Sequence, residues 1–352
     1  MNAQSSHATA LASVKKRRLL KLWIVSLAAL LVLATPLIVV LPIVGFDTVQ
    51  AEFKNDTNPR ANYWRAVREG VTGYTTVKGQ ETTTLIQNGG QNWRQARNGP
   101  VATIGAWLIG IVAALIVLFH LTVGKAKLEQ RTGRKVLRWT LFERFLHWYV
   151  AILFILLALT GLSILYGRAI LIPVLGYTGF AAYAQFAKPV HDYLGLFFTF
   201  GLVIMLAMWF RENIMHKVDW QWLKTGGSYF GHAHSHKVNG GEKIWFWILL
   251  IAGTGLMISG IVLLFPNLGF LRETMQGADI VHGVTALILS AVLLGHIYLG
   301  TIGNEGTFEG MISGEVDEAW AKQHHDLWYE ETGGKGAAID SEPAGAKPRQ
   351  TS

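Results

Sequence analysis

The chain has 352 residues, of which 51% are hydrophobic and only 15% are charged, and it contains no cysteine. A chain without cysteine cannot form disulfide bonds, ligate iron–sulfur clusters through thiolates, attach c-type haem covalently or use a catalytic thiol. The formal net charge of +8 does not indicate nucleic-acid binding, because the basic residues cluster in loops between apolar runs that are long enough to cross a membrane.

The first 51 residues are typical of a targeting or anchoring segment. A polar stretch rich in Lys and Arg precedes a charge-free apolar run, residues 22–46. Residues 49–51 could form a small-residue cleavage site, so the run is either a cleaved signal peptide or an uncleaved anchor helix. Both alternatives place residues 52–99 outside the cytoplasm, as a small polar periplasmic segment.

Five further apolar runs predict transmembrane helices, because lipid cannot satisfy the hydrogen-bonding groups of an open backbone. They cover residues 98–124, 145–167, 189–210, 244–271 and 280–304. The loops 125–144 and 211–243 are rich in Lys and Arg, whereas the intervening loops are not, so the positive-inside rule assigns both to the cytoplasm. The tail, residues 305–352, is also expected there, and its polar composition predicts disorder.

The predicted fold class is therefore an all-α membrane protein. Residues 135–304 form a four-helix bundle, and residues 100–124 form one additional N-terminal transmembrane helix. Residues 1–51 add a second such helix if they are retained. The chain is expected to be multi-pass.

Two histidines mark the last apolar run. His282 and His296 are fourteen residues apart, which is close to four helical turns, so both project from nearly the same face about 21 Å apart. This separation is most of the roughly 30 Å thickness of the hydrocarbon core. By depth, His147 at the cytoplasmic start of its helix pairs with His296, and His191 at the external start of the next helix pairs with His282.

Each pair could hold one b-type haem, giving two haems stacked across the membrane. Two histidine ligands fill both axial positions of the iron, which suits electron transfer rather than the activation of a small molecule. Several glycines could let a macrocycle approach the backbone, or could serve ordinary helix packing; they are Gly161, Gly195, Gly283 and Gly295. A transporter with intramembrane histidines as proton relays is a rival from another class.

The other histidines have simpler interpretations. His120 is left without a partner of matching depth and is expected to be a structural or lipid-interface residue. The cluster of His232, His234 and His236 could be a metal site or a proton relay, but a solvated loop is favoured because no acidic or sulfur ligand is near in the sequence. The same interpretation is given to residues 324–325.

Four stretches resemble a known family, the cytochrome b (gamma) subunits of membrane-bound respiratory formate dehydrogenases, in a long form with an N-terminal extension. They are Arg-Phe-Leu-His-Trp at 144–148, Lys-Pro-Val-His-Asp-Tyr-Leu-Gly at 188–195, Asn-Gly-Gly-Glu-Lys-Ile-Trp-Phe-Trp at 239–247, and the last helix with its two histidines. The segments 303–314 and 319–326 belong to the same likeness. Related di-haem cytochromes share the first stretch, so an anchor of a hydrogenase or a thiosulfate reductase is the alternative.

The resemblance implies a function as well as ligands. It implies that the four histidines hold two b haems and that a quinone binds beside the cytoplasmic one. The implied quinone-site residues are Asn239, Gly241, Glu242 and Lys243. Glu242 stands where a Gln is expected in the family, so it is either a proton relay or a solvated helix-start residue. The implied partners are a molybdenum or tungsten catalytic subunit and an iron–sulfur subunit, in the bacterial inner membrane, so this chain itself would not oxidise formate.

Overall fold

The computed structural model describes residues 88–231 and 233–334, so the predicted targeting segment and residues 52–87 lie outside the described residues. The helices are α1 (Asn88–Ala96), α2 (Ala102–Thr122), α3 (Leu141–Ile170), α4 (Ile172–Trp209), α5 (Lys217–Thr225), α6 (Gly240–Leu264), α7 (Arg272–Tyr298), α8 (Thr307–Ser313), α9 (Glu318–His324) and α10 (Asp326–Glu331), and the strands are β1 (Lys135–Leu137) and β2 (Glu315–Asp317). The predicted all-α class is confirmed, since the two strands have only three residues each.

Five helical stretches of the described residues are long and apolar enough to cross a membrane. They are Gly90–Thr122, Leu141–Ile170, Ile172–Trp209, Gly240–Leu264 and Arg272–Gly303. The chain divides into two compact units. The described part of the first unit consists of residues 88–123, 149–209 and 245–298, and that of the second consists of residues 124–148, 210–231, 233–244 and 299–334.

The first transmembrane stretch starts earlier than its apolar run predicts. A π-helical turn, Arg97–Val101, contains Pro100 and joins α1 to α2. Proline has no N–H to donate, so a local change of the helical hydrogen-bond pattern is expected there. The polar helix α1 and the turn after it contact α7, because the Trp93 indole N–H donates to Asp279 over 2.9 Å and Arg97 lies 3.5 Å from the same carboxylate.

Two predicted loops in the first unit are helical. The loop expected before residue 189 belongs to α4, in which Gly176 adopts φ 68° and ψ 174° and marks a kink between two merged helices. A left-handed φ of this kind strongly favours glycine. Residues 272–279, expected to form a turn, are the first two turns of α7. Their polar composition concealed the helix, because an apolar run shows only the part of a helix that lies in lipid.

Close packing joins α2 to α7. Val101, Ile280 and Leu287 form a buried cluster. A Cβ atom added at Gly105 would overlap the side chain of Leu287. The Tyr166 hydroxyl on α3 donates to the Ala102 carbonyl at the start of α2 over 2.8 Å, so α2 also contacts a helix of the predicted bundle.

The second unit has a small core of its own. Strands β1 and β2 are antiparallel, with Val136 opposite Val316. Both valines are buried with Trp320, Ala321 and Trp328. The predicted disorder of the tail is therefore wrong for residues 305–334, because a few large apolar side chains in a polar stretch bury themselves against β1.

Asp317 stabilises the start of α9. Its carboxylate accepts hydrogen bonds from the backbone N–H groups of Thr132, Gly133 and Ala319 at 2.9–3.1 Å. Burial alone would raise the pKa of Asp317, but these donors and the Thr132 hydroxyl outweigh it and lower the pKa to about 2. The carboxylate is therefore ionised at neutral pH; it satisfies one of the unpaired N–H groups at the helix start, that of Ala319, and ties the loop at 132–133 to that helix.

Candidate functional site

His191 on α4 and His282 on α7 face each other inside the first unit. Their ring centroids are 6.1 Å apart, with an angle of 73° between the ring planes. Two imidazoles that bind one metal ion from opposite sides have centroids roughly 6 Å apart, since each metal–nitrogen bond is about 2 Å long. The spacing of this pair thus fits a single metal ion between the two rings.

The Nδ1 atom of each ring is already hydrogen-bonded. His191 Nδ1 lies 2.9 Å from the Thr160 hydroxyl on α3, and His282 Nδ1 lies 3.2 Å from the Ser259 hydroxyl on α6. The Leu256 carbonyl is a further partner of His282 Nδ1 at 3.2 Å. Metal-binding histidines usually donate their second ring N–H in this way, which orients the ring and leaves the other nitrogen for the metal.

A glycine follows each of these hydroxyl residues. A Cβ atom added at Gly161 would lie 3.0 Å from His191 Cε1, and one added at Gly260 would lie 3.1 Å from His282 Cε1. The two rings are therefore seated against bare backbone. The other sequence-predicted glycines have looser surroundings, since a Cβ at Gly195 or Gly295 meets nothing within 4 Å and one at Gly283 only reaches Val101 at 3.9 Å.

The other two histidines lie near aromatic rings. His147, in the first turns of α3, packs edge-to-face on Trp148 with centroids 5.5 Å apart. His296, near the end of α7, stacks on Trp245 with centroids 5.0 Å apart and an interplanar angle of 19°. The pairing of His147 with His296 stays a prediction, based on their expected depth in the membrane.

The four residues predicted to line a quinone site lie at the start of α6. Asn239 and Glu242 cap the helix reciprocally: the Asn239 side chain accepts from the Glu242 N–H over 3.0 Å, and Glu242 accepts from the Asn239 N–H over 2.9 Å. This arrangement is a capping box with Asn as the cap. Gly241 lies against the ring of Trp222, because a Cβ there would be 3.0 Å from that ring.

Both charged residues of this stretch are paired within the second unit. Glu242 binds Arg138 at 3.0 Å, and the Arg138 side chain is only 2% exposed. Lys243 binds Asp219 at 2.8 Å, with both side chains 1% exposed. Glu242 is a helix-start residue, as one of the two expectations had it, and its side chain is 36% exposed, but its carboxylate also caps the helix and pairs with a buried guanidinium.

Arg138 contacts several groups of the second unit. Its guanidinium lies over the rings of Trp139 and Trp320, 5.0 and 4.8 Å from their centroids. It also donates to the Lys237 carbonyl over 2.9 Å and lies 3.1 Å from His325 Nε2. A buried arginine is thus stabilised by cation–π contacts and by hydrogen bonds.

The solvated interpretation of His324 and His325 is wrong. The two residues are 5% and 1% exposed and belong to the core around Trp320. Burial, reinforced by the positive charge of Arg138 and opposed by Glu242, lowers the pKa of His324 to about 4 and that of His325 to about 3. His325 Nδ1 donates to the His236 carbonyl over 2.7 Å, so its Nε2 is the atom that accepts from Arg138.

The histidine cluster at residues 232–236 has acidic neighbours that are remote in sequence. His234 pairs with Asp326, and His236 lies 2.9 Å from Glu331 and 5.8 Å from the His216 ring. His232 lies outside the described residues. In the part of the chain that the structure describes, no group of three or more His, Asp or Glu side chains could hold a metal ion.

His120 has a structural partner. Its Nδ1 lies 3.2 Å from the Tyr298 hydroxyl, and the two rings pack edge-to-face. This contact agrees with the structural role expected for His120.

Comparison with known proteins decides the family. The family described as prokaryotic cytochrome b561 matches residues 138–314, which is half of the chain. The chain belongs to this family. Membership implies haem b, and together with the five apolar helices it makes the chain a multi-pass membrane protein.

Several curated relatives share this cytochrome region. The nitrate-inducible formate dehydrogenase cytochrome b556(Fdn) subunit of Escherichia coli K12 is 28% identical over 207 residues, covering 56% of this chain and 92% of the relative. The formate dehydrogenase cytochrome b556 subunit of Haemophilus influenzae is 28% identical over 214 residues, covering 58% and 87%. The formate dehydrogenase cytochrome b556(fdo) subunit of E. coli K12 is 29% identical over 202 residues, covering 56% and 92%.

The facing pair His191 and His282 fits the haem b that the cytochrome b561 family implies, because both rings are oriented and their Nε2 atoms remain for iron. Sequence reasoning missed Thr160, Ser259 and Gly260. The signal that could have found them is a hydroxyl residue followed by glycine, at the depth of a predicted ligand, in each of two apolar helices. Such pairs are also common at helix contacts, so the sequence alone could not single them out.

Proposed function

We propose that the chain is the membrane anchor and di-haem b subunit of a formate dehydrogenase, which passes electrons from an iron–sulfur subunit across the membrane to a quinone. The similarity to three formate dehydrogenase cytochrome b556 subunits supports the assignment of the chain to a formate dehydrogenase complex. The observation that carries the electron-transfer role is the pair of oriented imidazoles, His191 and His282, with centroids 6.1 Å apart.

Haem b supplies one-electron transfer when it is bound. The chain's own residues determine where electron transfer occurs and keep other molecules away from the iron. His191 and His282 would hold the haem iron between them and so keep oxygen and substrates away from it. The apolar helices around them would limit the access of water and so the reorganisation that accompanies a change of charge.

The second haem of the proposal is held by His147 and His296 near the cytoplasmic surface. Stacking on Trp245 fixes the ring plane of His296 at the end of α7. The proposed direction is from the external pair to this cytoplasmic pair, and from there to a quinone that takes its protons from the cytoplasm.

The quinone would lie at the start of α6, lined by Asn239, Gly241, Glu242 and Lys243. The capping box and the two ion pairs hold the polar side chains of this stretch in fixed positions. Preorganised polar groups of this kind can orient a quinone carbonyl without rearrangement. In this proposal Glu242 would hand on a proton, and its 3.0 Å ion pair with Arg138 holds the carboxylate in position.

The proposed topology follows the charges of the loops. The segment 52–99 lies in the periplasm, and the loops 125–144 and 211–243 lie in the cytoplasm with the C-terminus. Residues 1–51 serve as a signal or anchor, residues 100–124 as an additional helix, and residues 135–304 as the cytochrome bundle. Formate would be oxidised in the periplasm by a separate molybdenum or tungsten subunit of the inner-membrane complex, so that electron flow contributes to a proton-motive force.

The test is the reduced-minus-oxidised spectrum of the purified complex with formate as the only donor. We expect two b haems per chain, both reduced by formate and reoxidised by a quinone. His191→Ala or His282→Ala should remove one spectral component and leave the other, whereas His120→Phe should leave both.

Other outcomes would decide against the proposal. Zero or one haem per chain contradicts the di-haem arrangement, and a missing Soret band favours a transporter. Reduction by hydrogen instead of formate, with a nickel–iron enzyme in the complex, identifies the alternative anchor. If neither alanine variant removes a component, the external pair is wrong.

A further inference from the structure

The contacts of the Thr160 hydroxyl favour its accepting a hydrogen bond from His191. A hydroxyl group has a single proton to donate. Thr160 Oγ1 donates it to the Leu156 carbonyl, 2.8 Å away, with the Leu157 carbonyl at 3.1 Å as the alternative acceptor. The contact of 2.9 Å with His191 Nδ1 is therefore an N–H donated by the imidazole. This assigns the proton of His191 to Nδ1 and leaves Nε2 unprotonated.

Ser259 does the same for His282. Its hydroxyl donates to the Gly255 carbonyl over 2.6 Å, so at 3.2 Å it accepts from His282 Nδ1. The proton of His282 is thus also assigned to Nδ1. The same arrangement occurs in two separate helix pairs, α3 with α4 and α6 with α7. In each pair the first helix supplies a hydroxyl residue followed by glycine, and the second helix supplies the histidine.

A hydrogen bond of this kind has an electronic consequence. Donation from Nδ1 increases the electron density at Nε2 and makes the imidazole a stronger donor to a metal. A stronger donor stabilises the more highly charged ferric state relative to the ferrous state. Two such bonds, one on each side, act in the same direction on a single iron.

We propose that Thr160 and Ser259 are positioning residues that fix the tautomers of His191 and His282 and lower the reduction potential of the haem held between them. This inference rests on the proposed function, because it needs that pair to be the haem ligands. A lowered potential at the external haem makes the onward transfer of electrons to the cytoplasmic haem more favourable. The two hydroxyls would thereby favour the direction of electron flow.

The experiment is an equilibrium redox titration of the purified complex, followed by haem absorbance, for Thr160→Val, Ser259→Ala and Thr160→Ser. Valine keeps the shape of threonine without its hydroxyl, and serine keeps the hydroxyl. We expect Thr160→Val and Ser259→Ala each to shift the ferric/ferrous equilibrium of one haem component toward the ferrous form by about tenfold, or roughly 59 mV for a one-electron couple. The other component should not move, and Thr160→Ser should titrate like the parent.

A matched control removes a hydroxyl that lies on the same helix but does not touch the imidazoles. The Ser163 hydroxyl donates to the Thr160 carbonyl over 2.7 Å and contacts the Tyr183 hydroxyl. Ser163→Ala should leave both potentials unchanged. An equal shift in Ser163→Ala would mean that general loosening of α3, rather than the hydrogen bond, sets the potential, and would overturn the inference.

The remaining outcomes are also decisive. Unchanged potentials in both Thr160→Val and Ser259→Ala, with both haems retained, overturn the inference and leave the proposed function intact. Loss of one haem in Thr160→Val but not in Thr160→Ser supports the hydroxyl, whereas loss in both variants assigns the role to packing and overturns it. Failure of the proposed function is seen separately, because His191→Ala and His282→Ala would then leave the haem spectrum whole.

Discussion

Lowering the pH from 7.5 to 5.0 should destabilise the second unit through His324 and His325. Their pKa values in the folded chain are about 4 and about 3, whereas an unfolded histidine has a pKa of about 6.5. Above pH 6.5 both side chains are neutral in either state, and there is no effect. Below it the unfolded chain binds protons that the folded chain does not, so stability falls with pH down to about 4 and about 3.

The size of the effect follows from the pKa difference. Each pH unit below 6.5 costs about 1.4 kcal/mol per histidine, so pH 5.0 costs about 2 kcal/mol for each residue. This corresponds to an approximately 30-fold larger opening equilibrium for one histidine and nearly thousandfold for both. The consequence reaches the start of α6, because His325 contacts the guanidinium of Arg138 that binds Glu242.

Hydrogen–deuterium exchange of peptides covering residues 315–331 in the purified complex measures this opening, after correction for the intrinsic exchange rate at each pH. His325→Gln should remove about half of the pH dependence. His120→Gln is the matched control, because His120 contacts Tyr298 in the first unit and the substitution should leave the dependence unchanged. Equal opening constants at both pH values, or the full dependence in His325→Gln, would refute the reasoning.

Three further predictions test individual contacts. Gly161→Leu should cause loss of one haem component, since even a Cβ atom at this position lies 3.0 Å from the His191 ring. Gly195→Ala should retain both components, because a Cβ atom at that position meets nothing within 4 Å. Haem quantification of both variants checks this. Lys243→Met should destabilise the second unit by about 3–5 kcal/mol, because it leaves the buried Asp219 carboxylate without a counter-charge, and adding Asp219→Leu should recover much of the loss. Thermal unfolding of the single and double variants measures this, and additive losses would contradict it. His120→Phe should lower stability by about 1 kcal/mol through the lost bond to the Tyr298 hydroxyl and leave both haem signals intact; a missing signal would assign His120 a ligand role.

The ends of the helices show where sequence reasoning stops. The membrane helices were predictable because lipid forces long charge-free runs into helices. Their polar extensions were not, since residues 88–97 and 272–279 carry no apolar run and depend on contacts such as that of Trp93 with Asp279. The ordered part of the tail was hidden for a similar reason, because Trp320 and Val316 become a core only when β2 pairs with β1.

The candidate site also has features that the sequence predicted and features that only the structure shows. The sequence by itself determined that the chain crosses the membrane several times without cysteine chemistry, and it selected four histidines by depth, because helical geometry converts residue spacing into distance. Only the tertiary structure decided that His191 faces His282, that Thr160 and Ser259 hold their Nδ1 atoms, and that Glu242 and Lys243 are paired with Arg138 and Asp219. These facts depend on which helices are neighbours and how they are rotated, and a linear pattern of residue types does not contain that information.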